Sequence, residues 1–155
     1  MAIALATGLG AGFAPFAPGT FGSALAVVVF VLLSHSFAGL ALAWGALVAA
    51  GTWAAGEAER AFGREDDGRI VIDEVAGQVL ALVPLFALPM ASRTNFPALV
   101  TAFVAFRVFD IAKPGPVRWA ERRFEGGVGV MADDLVAGAL AAIVVAAAVV
   151  AGVLA

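Results

Sequence analysis

"MADDLVAGALAAIVVAAAVVAGVLA", Met131 to Ala155, opens on two aspartates and then runs 21 residues from Leu135 without a charge. A helix needs about 20 apolar residues to cross the hydrocarbon of a bilayer. The stretch therefore reads as a spanning helix with an acidic pair at its head. Outward from it the pattern recurs: Met1 to Gly56, Val75 to Ser92 and Thr94 to Phe106 are also uncharged. Only 14% of residues are charged and the mean hydropathy is +1.02, whereas roughly a quarter of a soluble domain is charged. The composition excludes an ordinary soluble protein and predicts a single membrane-embedded domain over residues 1–155. A net charge of −3 with pI near 5.0 gives no basic surface for nucleic acid. The absence of cysteine removes disulfides, thiolate metal sites and cysteine nucleophiles. Met1 to Gly12 lacks the basic start of a cleavable leader, so the N-terminus is expected to stay.

All twelve acidic residues and eight of the nine basic ones fall in two segments, Glu57 to Glu74 and Arg107 to Asp134, with Arg93 alone outside. Spans at Phe21–Leu33, Phe37–Gly56, Val75–Ser92, Asn95–Ile111 and Leu135–Ala155 put both segments on one membrane face. The connections around Ser34–Ser36 and Ser92–Asn95 then lie opposite. Basic residues gather on the cytoplasmic side, so the charged face is predicted to be cytoplasmic. Because Phe21–Leu33 is short for a crossing, Met1–Leu33 either spans or re-enters. Pro84 and Pro89 are expected to kink the third span. In lipid the backbone must satisfy itself, and no alternating strands occur. The expected fold is all-α: a small polytopic helical bundle of about four or five spans, with its polar site at the cytoplasmic face.

Four polar clusters gather on that face. In "APFAPGTFGS" (Ala14–Ser23), Thr20 or Ser23 either caps the next helix or joins a glycine-rich cradle for an anion. In "EDDGRIVIDEVAG" (Glu65–Gly77), Asp73 and Glu74 stand at the start of an apolar helix. There they either complement its dipole or bind a cation, while Glu65, Asp66 and Asp67 are expected to be solvated. In "FRVFDIAKPGPVRW" (Phe106–Trp119), Arg107, Asp110 and Lys113 are spaced by three and share a helical face until Pro114. In "GGVGVMADDLVAG" (Gly126–Gly138), Asp133 and Asp134 open the last span and repeat the Asp73–Glu74 arrangement.

Asp73, Glu74, Asp110, Asp133 and Asp134 make an all-oxygen set suited to Mg²⁺ or Mn²⁺ rather than zinc. Arg107, Lys113 and Arg118, with Thr20 and Ser23, supply donors for phosphate oxygens. A metal and an anion clamp beside lipid suggest phosphate chemistry on a phospholipid headgroup. Two other classes stay open: a small ion-coupled transporter whose acidic pairs bind the coupling ion, and a headgroup phosphotransferase using the same metal.

Taken in order, the four blocks resemble those of the phosphatidylglycerophosphatase A family over nearly the whole chain. The resemblance implies a Mg²⁺-dependent phosphoric monoester hydrolase of the bacterial inner membrane. Its active site would face the cytoplasm and convert phosphatidylglycerophosphate to phosphatidylglycerol and inorganic phosphate. It assigns the catalytic acids to Asp73, Glu74 and Asp110, the metal to these with Asp133 and Asp134, and basic roles to Arg107 and Lys113. The family often carries histidine before its DE pair where this chain has "REDDGR", so Asp66 and Asp67 receive no role. Neither the number of metal ions nor the oligomeric state follows from these residues.

Overall fold

A computed structural model describes residues 1–154, and among them every regular element is helical. The chain runs α1 (Ala2–Ala6), a 3₁₀ turn (Gly8–Phe13), α2 (Pro18–Leu33), α3 (Phe37–Phe62), α4 (Ile72–Leu82), a second 3₁₀ turn (Val83–Ala87), α5 (Met90–Arg93), α6 (Phe96–Ala112), α7 (Gly115–Arg123) and α8 (Gly126–Val150). Two of these, α3 and α8, are long and apolar enough to cross a membrane. The other helices are shorter than the expected four or five full spans.

Local chemistry sets the boundaries. Ser36 caps α3 by accepting from the Gly39 N–H, and Asn95 caps α6 by accepting from the Ala98 N–H, each satisfying a donor the helix leaves free. Gly63 ends α3 in the left-handed conformation. The expected third span is broken, not merely kinked. α4 stops at Leu82, Val83–Ala87 tightens to a 3₁₀ turn and Leu88 is extended. Pro84 lacks an N–H and its ring blocks the carbonyl four residues back, so the α-helix cannot continue through it.

α2 starts at Pro18, three residues before the expected first span, and ends with it at Leu33. Gly19 at one end packs on Glu74, and the Ser34 carbonyl at the other accepts from Arg93 Nη1 at 3.0 Å. Arg93 also donates to the carbonyls of Leu88 and Phe86 and lies 4.7 Å from the Phe86 ring centroid. The two connections expected opposite the charged segments therefore share one end of the molecule. At the other end α1 packs against α3 through Ala6, Ala54 and Ala58.

α4 and α8 form the centre. A Cβ added at Gly77 would strike the Asp134 carbonyl and the Phe106 ring, and one at Gly138 would strike the Gly77 carbonyl. The two backbones touch directly, an approach only glycine permits. Trp44 Nε1 ties α3 to this pair by donating to the Ala76 carbonyl at 2.9 Å. Core side chains from Phe30, Leu40, Val79, Leu82 and Leu85 fill the half of the bundle away from the charges.

Candidate functional site

Sequence symmetry explains how the acids meet. Asp73-Glu74-Val75-Ala76-Gly77 and Asp134-Leu135-Val136-Ala137-Gly138 are two copies of D-x-V-A-G. In each, the aspartate lies one helical turn before the glycine of the crossing, so fixing Gly77 against Gly138 brings Asp73 beside Asp134. Glu74 adds a third carboxylate. One oxygen from each of Asp73, Glu74 and Asp134 falls within 4.8 Å of the others. The structural equivalence thus pairs Asp73 with Asp134, one residue out of step with the expected pairing of Asp73–Glu74 to Asp133–Asp134. Nor do Asp133 and Asp134 open their helix. α8 begins at Gly126, two turns earlier, because Gly127 is needed to pass the Thr52 carbonyl of α3.

These groups are hidden from solvent: Asp73 is 7% and Asp134 3% exposed. Asp73 Oδ1 and Glu74 Oε2 are buried without a hydrogen-bond partner. Unpaired carboxylate oxygens so close together are costly unless a cation joins them. Three convergent hard oxygens with free lone pairs fit a divalent cation of the oxygen-loving class, and Asp73, Glu74 and Asp134 could hold it.

Of the other two expected ligands, Asp110 pairs with Arg107 while staying beside Asp134 and Glu74, and Asp133 pairs with Lys113. Asp110 Oδ2 binds Arg107 Nη1 at 2.6 Å, the i,i+3 pair foreseen from the spacing. Arg107 Nη1 also lies 3.9 Å from Glu74 Oε1 and 3.5 Å from the Ser23 hydroxyl. Asp133 is drawn off by Lys113, whose Nζ contacts Asp133 Oδ2 at 2.8 Å and Glu121 Oε1 at 2.6 Å. Lys113 therefore does not pair with Asp110. It ends α6 in the left-handed conformation, which turns its side chain toward α7 and α8. Partial burial lowers its proton affinity, but the two carboxylates more than offset this and hold the ammonium above its usual range.

Ser23 does not cap α2. Its hydroxyl donates to the Gly19 carbonyl at 3.0 Å, and Ala17 occupies the cap position with no side-chain bond. Thr20 is exposed. Gly19, in the first turn of α2, is the residue of that stretch that meets the acids: a Cβ there would collide with the Glu74 carboxylate and approach Arg107 Nη1 to 3.1 Å. Arg118 is exposed on α7 and, among the described residues, contributes no ion pair to this centre. Asp67, expected in solvent, is buried. Arg69 grips it with Nε to Oδ1 at 2.7 Å and Nη2 to Oδ2 at 2.8 Å, and these hydrogen bonds hold its pKa down to about 2.

Gln78 escaped the sequence reading. It is fully buried and neither side-chain polar atom has a partner. As the only polar side chain between Val75 and Ala91, one turn beyond Glu74, it could have been flagged from sequence.

With the geometry in hand, comparison with known proteins is informative. A family model described as phosphatidylglycerophosphatase A matches residues 4–149. A Bacteroides thetaiotaomicron protein whose assigned name proposes a phosphatidylinositol-3-phosphatase is 43% identical over 94% of this chain and 92% of its own length. Proteins named phosphatidylglycerophosphatase A from Escherichia coli and Haemophilus influenzae are 35% and 37% identical, covering 89% and 91% of this chain and 77% and 84% of theirs. No solved structure matches.

Proposed function

From the premise that the chain belongs to the phosphatidylglycerophosphatase A family, a family of phosphoric monoester hydrolases, we propose that it is a Mg²⁺-dependent membrane phosphatase. Its reaction releases inorganic phosphate from phosphatidylglycerophosphate and leaves phosphatidylglycerol. The observation that carries this reading is the buried triad of Asp73, Glu74 and Asp134, with orphaned oxygens, beside the guanidinium of Arg107.

When bound by Asp73, Glu74 and Asp134, Mg²⁺ would supply Lewis-acid polarisation of a phosphoryl oxygen. Arg107 presents a planar fork of donors to the phosphate. Asp110 holds that fork in place, and the close approach of Gly19 keeps bulk away from Glu74. Lys113, braced by Asp133 and Glu121, fixes the corner between α6, α7 and α8 at the rim of the site. In hydrolysis the oxygen of water forms the new bond to phosphorus, and the bond from phosphorus to the glycerol oxygen breaks. Burial of the carboxylates excludes bulk water, so charge in the site is weakly screened.

In membrane terms, α3 and α8 cross fully, while α2, α4 with its 3₁₀ extension, and α6 complete the bundle as shorter crossings. Residues 1–155 act as one domain. The positive-inside bias puts the site on the cytoplasmic face of a bacterial inner membrane. Five crossings of unequal length are compatible with local thinning of the bilayer.

The test is phosphate release by the purified protein from long-chain phosphatidylglycerophosphate in detergent micelles, with Mg²⁺ and with EDTA. Phosphatidylinositol 3-phosphate is assayed in parallel, because the 43% identical relative carries that substrate in its name. Mg²⁺-dependent release from the glycerol lipid is the expected result. Preference for the inositol lipid would move the substrate, and release from neither would reject the reading.

A further inference from the structure

On one flank of the bundle α2 and α6 meet only along their inner faces, where Ala26, Phe30, Ala98 and Ala102 are buried together. Outside that seam lies a groove walled by Ala24 and Val27 of α2 and by Leu99, Val100 and Phe103 of α6. Phe103 is shared with a second, shallower hollow on the outer face of α6, lined by Val104, Arg107, Val108, Ile111 and Ala112. Arg107 is the only charged residue along either part. It is also the side chain that binds Asp110 and faces Glu74, so the apolar surface passes directly beside the site.

Length gives a second observation. The rise from Phe96, at the far end, to Arg107 is about 16 Å at 1.5 Å per residue, close to the ~15 Å of hydrocarbon that one acyl chain fills in a bilayer. An apolar slot about one acyl chain long that leads to a single guanidinium has the shape and charge pattern of a phospholipid: chain along the helices, phosphate at Arg107.

We propose that this groove seats one acyl chain of the lipid substrate, which enters sideways from the bilayer between α2 and α6 and brings its headgroup phosphate to Arg107. The inference rests on the lipid phosphatase reading and adds the path and register of the substrate. Membrane lipid is as apolar as the groove, so the chain gains little by moving from one to the other. The groove orients the substrate without trapping it, and the product lipid leaves by the same route.

The decisive variant is Ala24→Phe. Ala24 is exposed in the groove, so the ring fills the slot without entering the core. Activity is measured on dioleoyl phosphatidylglycerophosphate in micelles and on its deacylated, water-soluble headgroup. The ratio of kcat/KM between the two should fall at least 5-fold, mostly through KM for the diacyl lipid; an unchanged ratio overturns the groove. A binding arm is independent of turnover. The chain has no cysteine, so Val100→Cys and Ile143→Cys can each carry one fluorophore, Ile143 being lipid-facing on α8 at 66% exposure. Phosphatidylglycerol with brominated chains, at low mole fraction in nanodiscs, should quench the label at position 100 at least twice as strongly as that at 143. Equal quenching overturns the proposal, as does a change of oligomeric mass in Ala24→Phe with KM unaltered, which would make the groove a contact between copies. If the wild type released phosphate from neither substrate, the phosphatase reading would fall, while the quenching ratio would still decide the groove.

Discussion

Replacing Asp134 by asparagine should stabilise the metal-free protein while abolishing its activity. In the structure its carboxylate shares a space of 4.8 Å with those of Asp73 and Glu74. Two unit charges at that separation repel by about 3.5 kcal/mol at an effective dielectric of 20. Asp134 takes part in two such pairs, about 7 kcal/mol in all for fully ionised carboxylates at that separation, much of it offset by the Arg107 guanidinium beside Glu74. A net gain of about 1–3 kcal/mol in EDTA is therefore expected, or roughly 2–4 °C per kcal/mol in the thermal midpoint of a chain this long. Trp44, Trp53 and Trp119 report unfolding by intrinsic fluorescence in detergent. Adding Mg²⁺ should raise the wild-type midpoint and leave that of Asp134→Asn nearly unmoved, with phosphate release down at least 100-fold. If Asp134 instead held the fold together, the variant would melt lower in EDTA and still respond to Mg²⁺, which would remove Asp134 from the cation site.

Further outcomes follow from single contacts. Gly138→Ala should push α8 off the Gly77 carbonyl, costing about 1–3 kcal/mol by overpacking and more than 10-fold in turnover, whereas Ala139→Leu on the exposed side should alter neither melting nor rate. Arg107→Lys keeps the charge but loses the fork that joins Asp110 to the substrate phosphate; kcat should drop at least 10-fold with the melting midpoint within 2–3 °C of wild type. The Asp67–Arg69 pair sets a pH dependence: with a folded pKa near 2 against an ordinary 3.8, it contributes stability above pH 3.8 that fades as pH falls through 2. Asp67→Asn should thus melt lower at pH 7 by about 1 kcal/mol, discounted because the Arg69 side chain is 42% exposed, and the gap should close towards pH 2. Single cysteines in the cysteine-free chain at Arg64 and Arg122 should label from the same side of sealed vesicles and one at Ser34 from the other; opposite sides for Arg64→Cys and Arg122→Cys would break the shared site.

The partition of charge into two segments was enough to foresee one polar end, because ionisable groups cannot be stranded in hydrocarbon. Arg107 with Asp110 was legible for a similar reason: an i,i+3 spacing on a helix needs no tertiary information. What could not be read was whatever depends on where helices cross. Asp133 and Asp134 are neighbours in sequence, yet one meets Lys113 and the other meets Asp73, since adjacent helical residues point about 100° apart. Choosing between them required the Gly77–Gly138 contact, which the repeated D-x-V-A-G hinted at only once its two copies were seen in space. Pro84 was expected to bend its helix, but breaking it depended on a 3₁₀ turn that surrounding core residues such as Leu85 stabilise. Asp67 looked like one more charge in a solvated loop because its partner, Arg69, folds back over the Phe62 ring at 3.8 Å.

Arg93 has a bearing on how such a chain is built into a membrane. Its guanidinium has no carboxylate partner among the described residues; it serves three backbone carbonyls, one at the end of α2 and two in the proline-broken turn. Those carbonyls carry the negative end of helix and turn dipoles, so the cation is neutralised without any acidic residue on that side. In a bilayer with the charged segments inside, it is the one basic side chain that must be delivered across during insertion, against the usual bias. The latch can form only where the α2–α3 connection and the turn before α6 lie side by side, so one guanidinium ties two separate helical hairpins together at the end of the bundle away from the acids.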